Sequence, residues 1–541
     1  MYSPITNRCG LPCHGNVRVG PEASARLTST DRGNDAGVKG HDLVVVANRL
    51  PVHRVGDRWE TSPGGLVRAM LGVVRARGGA WVGWNGDTST DTPISAAHIG
   101  HPTLVSPACP TTIDDTELIA VPLSADEFNH YYERVANGAL WPLFHDAIRE
   151  SSFDATSWAV YRDVNRRFAE AAAGAAAPGA TVWIHDYQLL LAPAMLRDLR
   201  PDLVVGFFLH IPFPPQELFM RMPWRDEIIH GMLGADLVGF QRPVGADNFV
   251  ALSKRLVGAD ADGFVIDSAN GHTTRVGTFP ISIDVDEIVL LAERGDAADR
   301  VREIRDRLGN PRTIFLGVDR LDYTKGIDLR LVGFGALLRD LHDLHQTVNM
   351  ASTADSSTDH VNQRPDIVLV QIAVPGREGV DSYVEERRVV EQLVGEVNGE
   401  HATIGYPVVH YIRRSLSLDE LVPLYMAADV MLVTPRRDGM NLVAKEFVAA
   451  RTDDTGVLVL SEFAGASEEL TEALLVNPHD PDAILAALHE ALAMSRDESA
   501  QRMKDMRTVV NDRDVHQWAG AFLDALYEGQ TLAVQVRTAG Q

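Results

Sequence analysis

Three cysteines in 541 residues build no disulfide framework. Cys9 and Cys13 lie in a Gly-, Ser-, Pro- and Arg-rich tail without a second Cys/His pair nearby, so their spacing makes no zinc site. No apolar run approaches the ~18 residues of a membrane helix. The first 40 residues hold no apolar block of the kind a secretion signal needs. The chain is therefore expected to be cytoplasmic. Cations are also scarce, with 50 Lys and Arg against 74 Asp and Glu and a formal charge of −24. That balance excludes a general nucleic-acid binder and a binder of anionic membranes. An anionic small substrate stays open, because a local cluster of Arg and Lys overrides the global sign. Several signatures are missing: G-x-G-x-x-G, the lysine phosphate loop, G-x-S-x-G and H-E-x-x-H. The candidate Asp-x-Asp at Asp284 and Asp286 lacks the Gly/Thr that follows in an aspartyl-phosphate loop. It also falls in a predicted linker, so neither a metal site nor a phosphatase is read from it. No repeat of 20–50 residues appears.

What is present is a chain of ordinary globular composition, 45% hydrophobic and 23% charged, long enough for two or three domains. Residues 1–40 read as a disordered polar tail. Order begins at Asp42–Ala47, an apolar run suited to a strand buried on both faces. Strand-like runs follow at 81–86, 181–184, 204–209 and 235–240, and a short extended run at 278–284 carries a proline. The alternation restarts with strands at 313–318, 367–374, 408–412, 429–434 and 457–460. This predicts an α/β chain of two Rossmann-like doubly wound domains facing across a cleft. Its divisions are a tail at 1–40, a first domain at 41–295, a second at 296–510, and a helix with tail at 511–541. Cleft closure would hinge about 280–310. The Ser/Thr/Asp-rich stretch 350–364 reads as a mobile surface loop.

The chemistry gathers where strands end, since ligands of open α/β sheets bind beyond the carboxyl ends of strands. In the second half, Asp438-Gly439-Met440-Asn441 is a turn opening the helix Leu442-Val443-Ala444-Lys445-Glu446. A helix start offers free N–H groups to an anion. Glu446, about five residues in, lies roughly 7.5 Å along the axis, so carboxylates flank a diphosphate-sized site. The plainer alternative is an ordinary turn with a solvated Asp and a surface Glu. Arg320 and Lys325 share one strand-end loop and Arg377 ends the next strand, a receptacle for phosphate. Asp322 could instead tie Arg320 and Lys325 into a surface salt-bridge cluster. In the first half, Arg49, Asp186 and His210 each stand at a strand end, Gly64 and Gly65 open a helix, and Trp84, Tyr132 and Trp141 supply aromatic faces. Such aromatics are more often core than sugar platform.

Taken in order, Asn48-Arg49, Gly64-Gly65-Leu66, Trp81-Val82-Gly83-Trp84, Tyr132 with Trp141-Pro142, His185-Asp186-Tyr187, Phe208-Leu209-His210-Ile211-Pro212-Phe213-Pro214, Asp319-Arg320-Leu321-Asp322-Tyr323-Thr324-Lys325-Gly326 and the 438–446 run resemble the trehalose-6-phosphate synthase family. The resemblance spans roughly residues 42–510. It implies a retaining glucosyltransferase of the two-Rossmann (GT-B) architecture that moves glucose from ADP- or UDP-glucose to glucose 6-phosphate. No cofactor is expected, the nucleotide-sugar being a substrate; the sequence implies no divalent metal and its charge no nucleic-acid or membrane partner, while the resemblance suggests a homo-oligomer, dimer or tetramer. On the donor side it assigns Arg320 and Lys325 to the diphosphate, with the N–H groups of Leu442 and Val443. Glu446 takes the ribose; Asp438 with Gly439, Met440 and Asn441 takes the glucosyl hydroxyls. Ala444 and Lys445 fall within the same donor-binding run, Leu416 lies against the base, and Gly64 and Gly65 approach the phosphates. The acceptor side comprises Arg49 and Arg377 on the phosphate, with Trp84, Tyr132, Trp141 and Asp186 around the sugar. His210 contacts the donor glucose, and Arg320, Lys325, His210 and Asp438 form the implied catalytic group.

Retention by double displacement needs a carboxylate nucleophile beneath the anomeric carbon, and the sequence names no convincing one. The resemblance implies same-face attack, with the departing phosphate taking the acceptor's proton. Two alternatives stand beside it: a related transferase with another phosphorylated acceptor, and a catalytically silent sensor of sugar nucleotides.

Overall fold

Long apolar runs become the middles of two mostly parallel sheets, and the polar residues at their ends become the loops of a cleft. The computed structural model describes residues 40–55, 58–62, 65–88, 109–147, 151–269, 271–351, 365–376 and 381–539. The 1–39 tail, Gly64, Arg377 and residues 352–364 lie outside the described residues.

The first sheet has ten strands. Seven of them form a parallel centre: His41–Arg49, Ala80–Trp84, Thr116–Ala120, Ala176–His185, Val204–Phe208, Leu237–Phe240 and Thr273–Thr278. Numbered along the chain, they lie in the order 3-2-1-4-5-6-7. Val44, in the first strand, faces Ala80 on one side and Val182 on the other. The second sheet is parallel throughout, with strands Thr313–Arg320, Ile367–Val374, Val409–Ile412, Val430–Val433, Val457–Ser461 and Leu474–Val476 in the order 3-2-1-4-5-6. Both are doubly wound Rossmann orders. Each reverses direction once, and the loops at that reversal form the crevice where such sheets bind ligands. The reversals fall between His41–Arg49 and Ala176–His185, and between Thr313–Arg320 and Val430–Val433.

Strands buried on both faces match their predicted positions closely; Ile367–Val374 runs as expected. The differences lie at the margins. The hairpins Val52–Val55 with Arg58–Thr61 and Asp260–Asp262 with Val265–Asp267 were not expected, nor was Thr112–Ile113, Thr116–Ala120 or Leu474–Val476. These strands are short or half exposed, as the alternating burial of Thr116–Ala120 shows, so a continuous apolar run does not mark them. The run expected at 278–284 is a strand only through Thr278. Asp284 then caps the helix Val285–Ala292, accepting from the Glu287 N–H at 3.1 Å. That cap gives the first aspartate of the Asp-x-Asp a structural role. The helix Ile327–Ala351 runs two residues into the stretch expected as a loop.

The chain crosses between the sheets twice. The helix from Val285 packs on helices Leu418–Ala427 and Leu442–Ala450 of the second sheet. The final helix, Val515–Ala539, returns to pack on Gly65–Ala76 of the first. The crossings are tied where Val515 N–H donates to the Ile283 carbonyl at 3.0 Å. Phe522 stacks on Trp183 with centroids 4.6 Å apart, and Trp518 Nε1 donates to the Phe279 carbonyl at 3.1 Å. Among the described residues, no helix is long and apolar enough to cross a membrane.

Candidate active site

The second sheet's wall of the cleft grows from two loops at its reversal. After Arg320 the chain makes one 3-10 turn, Tyr323–Lys325, and leaves it through Gly326 at φ +62. Asp322 is buried and caps that turn. Its carboxylate accepts from the Thr324 N–H (3.0 Å), the Thr324 hydroxyl (2.9 Å) and the Tyr383 hydroxyl (3.2 Å). Asp322 therefore shapes the loop, and the salt-bridge cluster with Arg320 and Lys325 is not what the structure holds. Lys325 donates instead to Asp438 Oδ2 at 2.5 Å. Asn441 Nδ2 donates to the same oxygen at 3.1 Å, while Asn441 Oδ1 accepts from the Ala444 N–H at 3.2 Å. One residue, held at φ +85, thus caps the Leu442–Ala450 helix and orients Asp438. Burial pushes the Asp438 carboxyl up, but Lys325, His145 and Asn441 outweigh it and hold its pKa below the ordinary carboxylate range.

Helix geometry then divides the 442–446 run. Leu442, Val443 and Glu446 are partly exposed, whereas Ala444 and Lys445 are buried. Residues three and four apart share a face, so Glu446 lies over Leu442 and Val443 at the helix start, and the cap leaves the N–H groups of those two at its open end. Tyr425 fixes Glu446, its hydroxyl donating to Oε2 at 2.8 Å. Ala444 and Lys445 are corrected: neither faces the cleft. The Ala444 N–H belongs to the cap. The Lys445 ammonium is buried behind the helix, 2.6 Å from Glu469 and donating to the Ile281 carbonyl at 2.9 Å. The Leu416 and Met440 side chains are likewise buried, which leaves their backbones to face a ligand.

The first sheet supplies a wall of rings. Residues Phe128–Leu140 form a π-helix, a rare widened helix often found at functional sites. It carries Tyr132, stacked on Phe128 at 5.1 Å, and ends at Trp141. The Trp141 ring lies 4.0 Å from that of His145 and under the guanidinium of Arg320, which reaches from the second sheet to 5.3 Å. His145 donates from Nδ1 to the Trp141 carbonyl at 2.9 Å. Burial pushes its pKa down to about 3, and it lies within electrostatic reach of Asp322, Asp438 and Lys325. Arg49 leaves its strand with its guanidinium 4.5 Å over Trp84. Gly86, at φ +89, makes room for that arginine, since a Cβ there would lie 2.3 Å from Nη1. The Trp84 ring is buried, packs on Phe128 at 5.0 Å and donates to the Asp87 carbonyl. It is the floor beneath Arg49. Gly65 is the first residue of the Gly65–Ala76 helix.

At the first sheet's own reversal, Asp186 is held at φ +75 and its Oδ1 accepts from the His210 N–H at 3.2 Å. The loop carrying Asp438 presses on this point: a Cβ on Gly439 would sit 2.2 Å from the His210 carbonyl oxygen, so only glycine lets the two walls meet. Ion pairs close the contact from either side, Arg437 with Asp146 and Arg242 with Glu468. The structure thus gathers Arg320, Lys325, Asp438, Asn441, Trp141, His145 and His210 in one place. Glu446 stands toward one end and Arg49 with Trp84 and Tyr132 on the first-sheet side. No group of three or more potential metal-ligating side chains occurs among the described residues.

Sequence reasoning missed His145, Tyr425 and the double role of Asn441. An Asn three residues before a helical N–H is a cap signal that was there to read. Nothing local marks Tyr425, which meets Glu446 only through the packing of two helices. His145 is one more polar residue after an aromatic run.

Comparison with known proteins meets this geometry. The model of glycosyltransferase family 20 matches residues 41–366 and 358–528. A trehalose-6-phosphate synthase of Mycobacterium marinum is 49% identical over 526 residues, covering 94% of this chain and 98% of that protein. Among solved structures, a trehalose-6-phosphate synthase studied with bisubstrate glycomimetics for glycosyl transfer with retention superposes with a TM-score of 0.75 at 32% identity, covering 90% of this chain and 99% of the other. A UDP-forming α,α-trehalose-phosphate synthase from Burkholderia xenovorans in complex with glucose-6-phosphate gives a TM-score of 0.76 at 31% identity over 90% of this chain and 99% of its own.

Proposed function

The chain belongs to glycosyltransferase family 20, among the retaining trehalose-6-phosphate synthases, and on that premise we propose that it transfers glucose from UDP- or ADP-glucose to glucose 6-phosphate, giving α,α-trehalose 6-phosphate. The observation that carries this reading is the Lys325–Asp438 pair at the second sheet's reversal, beside Arg320 and an open helix start. A diphosphate offers Lys325 a second anionic partner, and the glucosyl hydroxyls offer Asp438 donors. Arg320, Lys325 and the N–H groups of Leu442 and Val443 would then stabilise the charge that grows on the leaving nucleotide, in place before the reaction starts. Glu446, directed by Tyr425, takes the ribose. These contacts read no base, so either nucleotide meets them.

On the opposite wall, Arg49 would hold the acceptor's phosphate, with Tyr132, Trp141 and Asp186 around its sugar and His210 at the reaction centre. The complex of the Burkholderia xenovorans relative with glucose-6-phosphate supports that choice of acceptor. The cleft carboxylates have other duties: Asp438 is engaged by Lys325 and Asn441, Glu446 by Tyr425, and Asp186 by the His210 N–H. That favours same-face attack, in which the acceptor hydroxyl bonds to the anomeric carbon as the nucleotide departs and a phosphate oxygen takes the hydroxyl proton. Nucleotide release measured with UDP-glucose and ADP-glucose, with and without glucose 6-phosphate, tests the reading. Release should require glucose 6-phosphate and yield a product with both anomeric carbons α by NMR. Release with glycerol 3-phosphate but not glucose 6-phosphate would assign another acceptor. A chain that binds the donor and releases nothing would be a sensor.

A further inference from the structure

Behind the reaction centre lies a second histidine that the proposed mechanism does not use. His185 is the last residue of its strand and is fully buried. Its Nδ1 lies 3.1 Å from Nε2 of His210, and the two rings are nearly parallel, centroids 5.3 Å apart. Its other nitrogen, Nε2, is buried without a hydrogen-bond partner, and the Trp183 ring packs at 4.8 Å. His210 is less enclosed. Its backbone N–H is held by Asp186, and its Nδ1 has no hydrogen-bond partner among the described residues.

Burial pushes the pKa of His185 well down, with His210 adding to the effect, and burial alone takes His210 to about 3. Both rings are therefore neutral at working pH, and each carries one proton. Only two arrangements make the hydrogen bond between them. In one, His210 donates from Nε2, so His185 must keep its proton on Nε2, a buried N–H with nothing to receive it. In the other, His185 donates from Nδ1 and leaves only a bare lone pair beside Trp183. Orphaned buried N–H groups are the rarer and costlier defect, so the second arrangement is the stable one.

We propose that His185 is a positioning residue that fixes His210 as the Nδ1–H tautomer, making His210 a permanent hydrogen-bond donor to a ligand oxygen and closing it to use as a base. The Nε2 lone pair is occupied by His185, and the one position left for a ligand carries a proton. The inference rests on the reading of this cleft as a glucosyl-transfer site. There the recipient is a hydroxyl or phosphate oxygen of the sugar nucleotide, and the acceptor's proton goes to the departing phosphate rather than to His210.

Nitrogen-15 spectra of the histidine-labelled full chain test this without any substrate, the His210 signals being identified by their loss in His210→Gln. At pH 7.5 His210 should show a protonated Nδ1 and a bare, hydrogen-bonded Nε2. His185→Phe should move the proton to Nε2 and lower kcat by about 10- to 100-fold, with the donor KM changing less than about threefold. His185→Asn, whose amide can still donate from the Nδ1 position, should restore the Nδ1–H signal and most of kcat. A His210 protonated on Nε2 in the wild-type chain overturns the proposal, as does an unchanged tautomer in His185→Phe. If His185→Phe does not fold, the wild-type and His185→Asn spectra decide. A correct tautomer in a chain that releases no nucleotide with glucose 6-phosphate would count against the proposed reaction and leave the tautomer assignment standing.

Discussion

The Lys325–Asp438 and Lys445–Glu469 pairs are made of similar groups at nearly the same separation, 2.5 and 2.6 Å, and the two halves of one helix-start motif supply a member to each. Their surroundings differ. The side chains of the first pair keep 12% and 14% of their surface open to the cleft, while those of the second keep 2% and 5%. Lys445 also donates to the Ile281 carbonyl at the crossing between the sheets, and Glu469 receives Arg513 from the second crossing. A pair whose partners a ligand can replace is a binding device. One whose members are all spent on the protein is a fastener, and a buried fastener must be judged by the cost of breaking it rather than by its Coulomb attraction.

That contrast is open to attack first through stability. Lys445→Met leaves Glu469 buried with one partner fewer and should cost about 3–5 kcal/mol, read as a lower urea midpoint, while the folded fraction keeps most of its kcat. Replacing both members, Lys445→Met with Glu469→Leu, should recover much of the loss. A normal midpoint with lost turnover in Lys445→Met would return Lys445 to the site and end the distinction. The mirror test is Lys325→Met. Turnover at saturating donor should fall about 100- to 1,000-fold, equal to roughly 2.7–4 kcal/mol of transition-state stabilisation, with a midpoint lowered less than in Lys445→Met. Near-normal turnover would remove the electrostatic role assigned to this lysine.

These two lysines also mark how far the sequence could be read. Both sit in strings of residues that match a family pattern, and pattern alone placed Lys445 with the donor. Burial separates it: Leu442, Val443 and Glu446 are partly exposed, whereas Lys445 is buried against Glu469, a distinction that comes from how the helix packs. Strand-end positions were legible for a general reason: strands buried on both faces announce themselves as apolar runs, and the residues just beyond their carboxyl ends line the crevice. Arg320, Lys325 and the Asp438 turn were placed at such ends, and the structure brings them together. Half-exposed strands such as Thr116–Ala120 were not legible, since their residues alternate between core and solvent. Nor was the burial of Trp84. A tryptophan at a strand end looks the same in the sequence whether its ring is open or, as with Trp84, lies beneath an arginine. Contacts across the cleft, such as Gly439 on His210, depend on how two domains meet, and no local pattern encodes that.

Acid offers a sharper way to separate the charged pair from the ring wall that faces it. The Asp438 pKa is held below the ordinary range. Its contribution is therefore present above the unfolded carboxylate value of about 4 and is lost only as pH falls through the lower folded value. His145 and His210 behave differently: each is held near 3 in the folded chain against about 6.5 unfolded. The unfolded state takes up protons first, so stability is complete above about pH 6.5 and declines as pH falls below it. At pH 5 the loss is at most about 2 kcal/mol per histidine. The urea midpoint should thus fall between pH 6.5 and 5, before Asp438 titrates. His145→Phe, which removes one titrating ring facing Asp322, Asp438 and Lys325, should flatten that decline. An unchanged slope would assign the acid sensitivity elsewhere.

The smallest effect expected tests whether the cleft holds uncharged positioning devices of the same kind as its ion pair. The Tyr425 hydroxyl is fully buried and donates to Glu446, fixing the direction of that carboxylate. It bears no charge and lies away from the reacting groups, so Tyr425→Phe should leave kcat and the acceptor KM unchanged. The net worth of one such hydrogen bond is about 1 kcal/mol, equivalent to roughly a fivefold rise in donor KM. Glu446→Gln should raise donor KM further, and adding Tyr425→Phe to it should then have little additional effect, because the hydroxyl acts only through the carboxylate it directs. Full additivity of the two changes would show that Tyr425 serves the helix packing and not the ribose. A donor KM indifferent to both would move Glu446 out of the site.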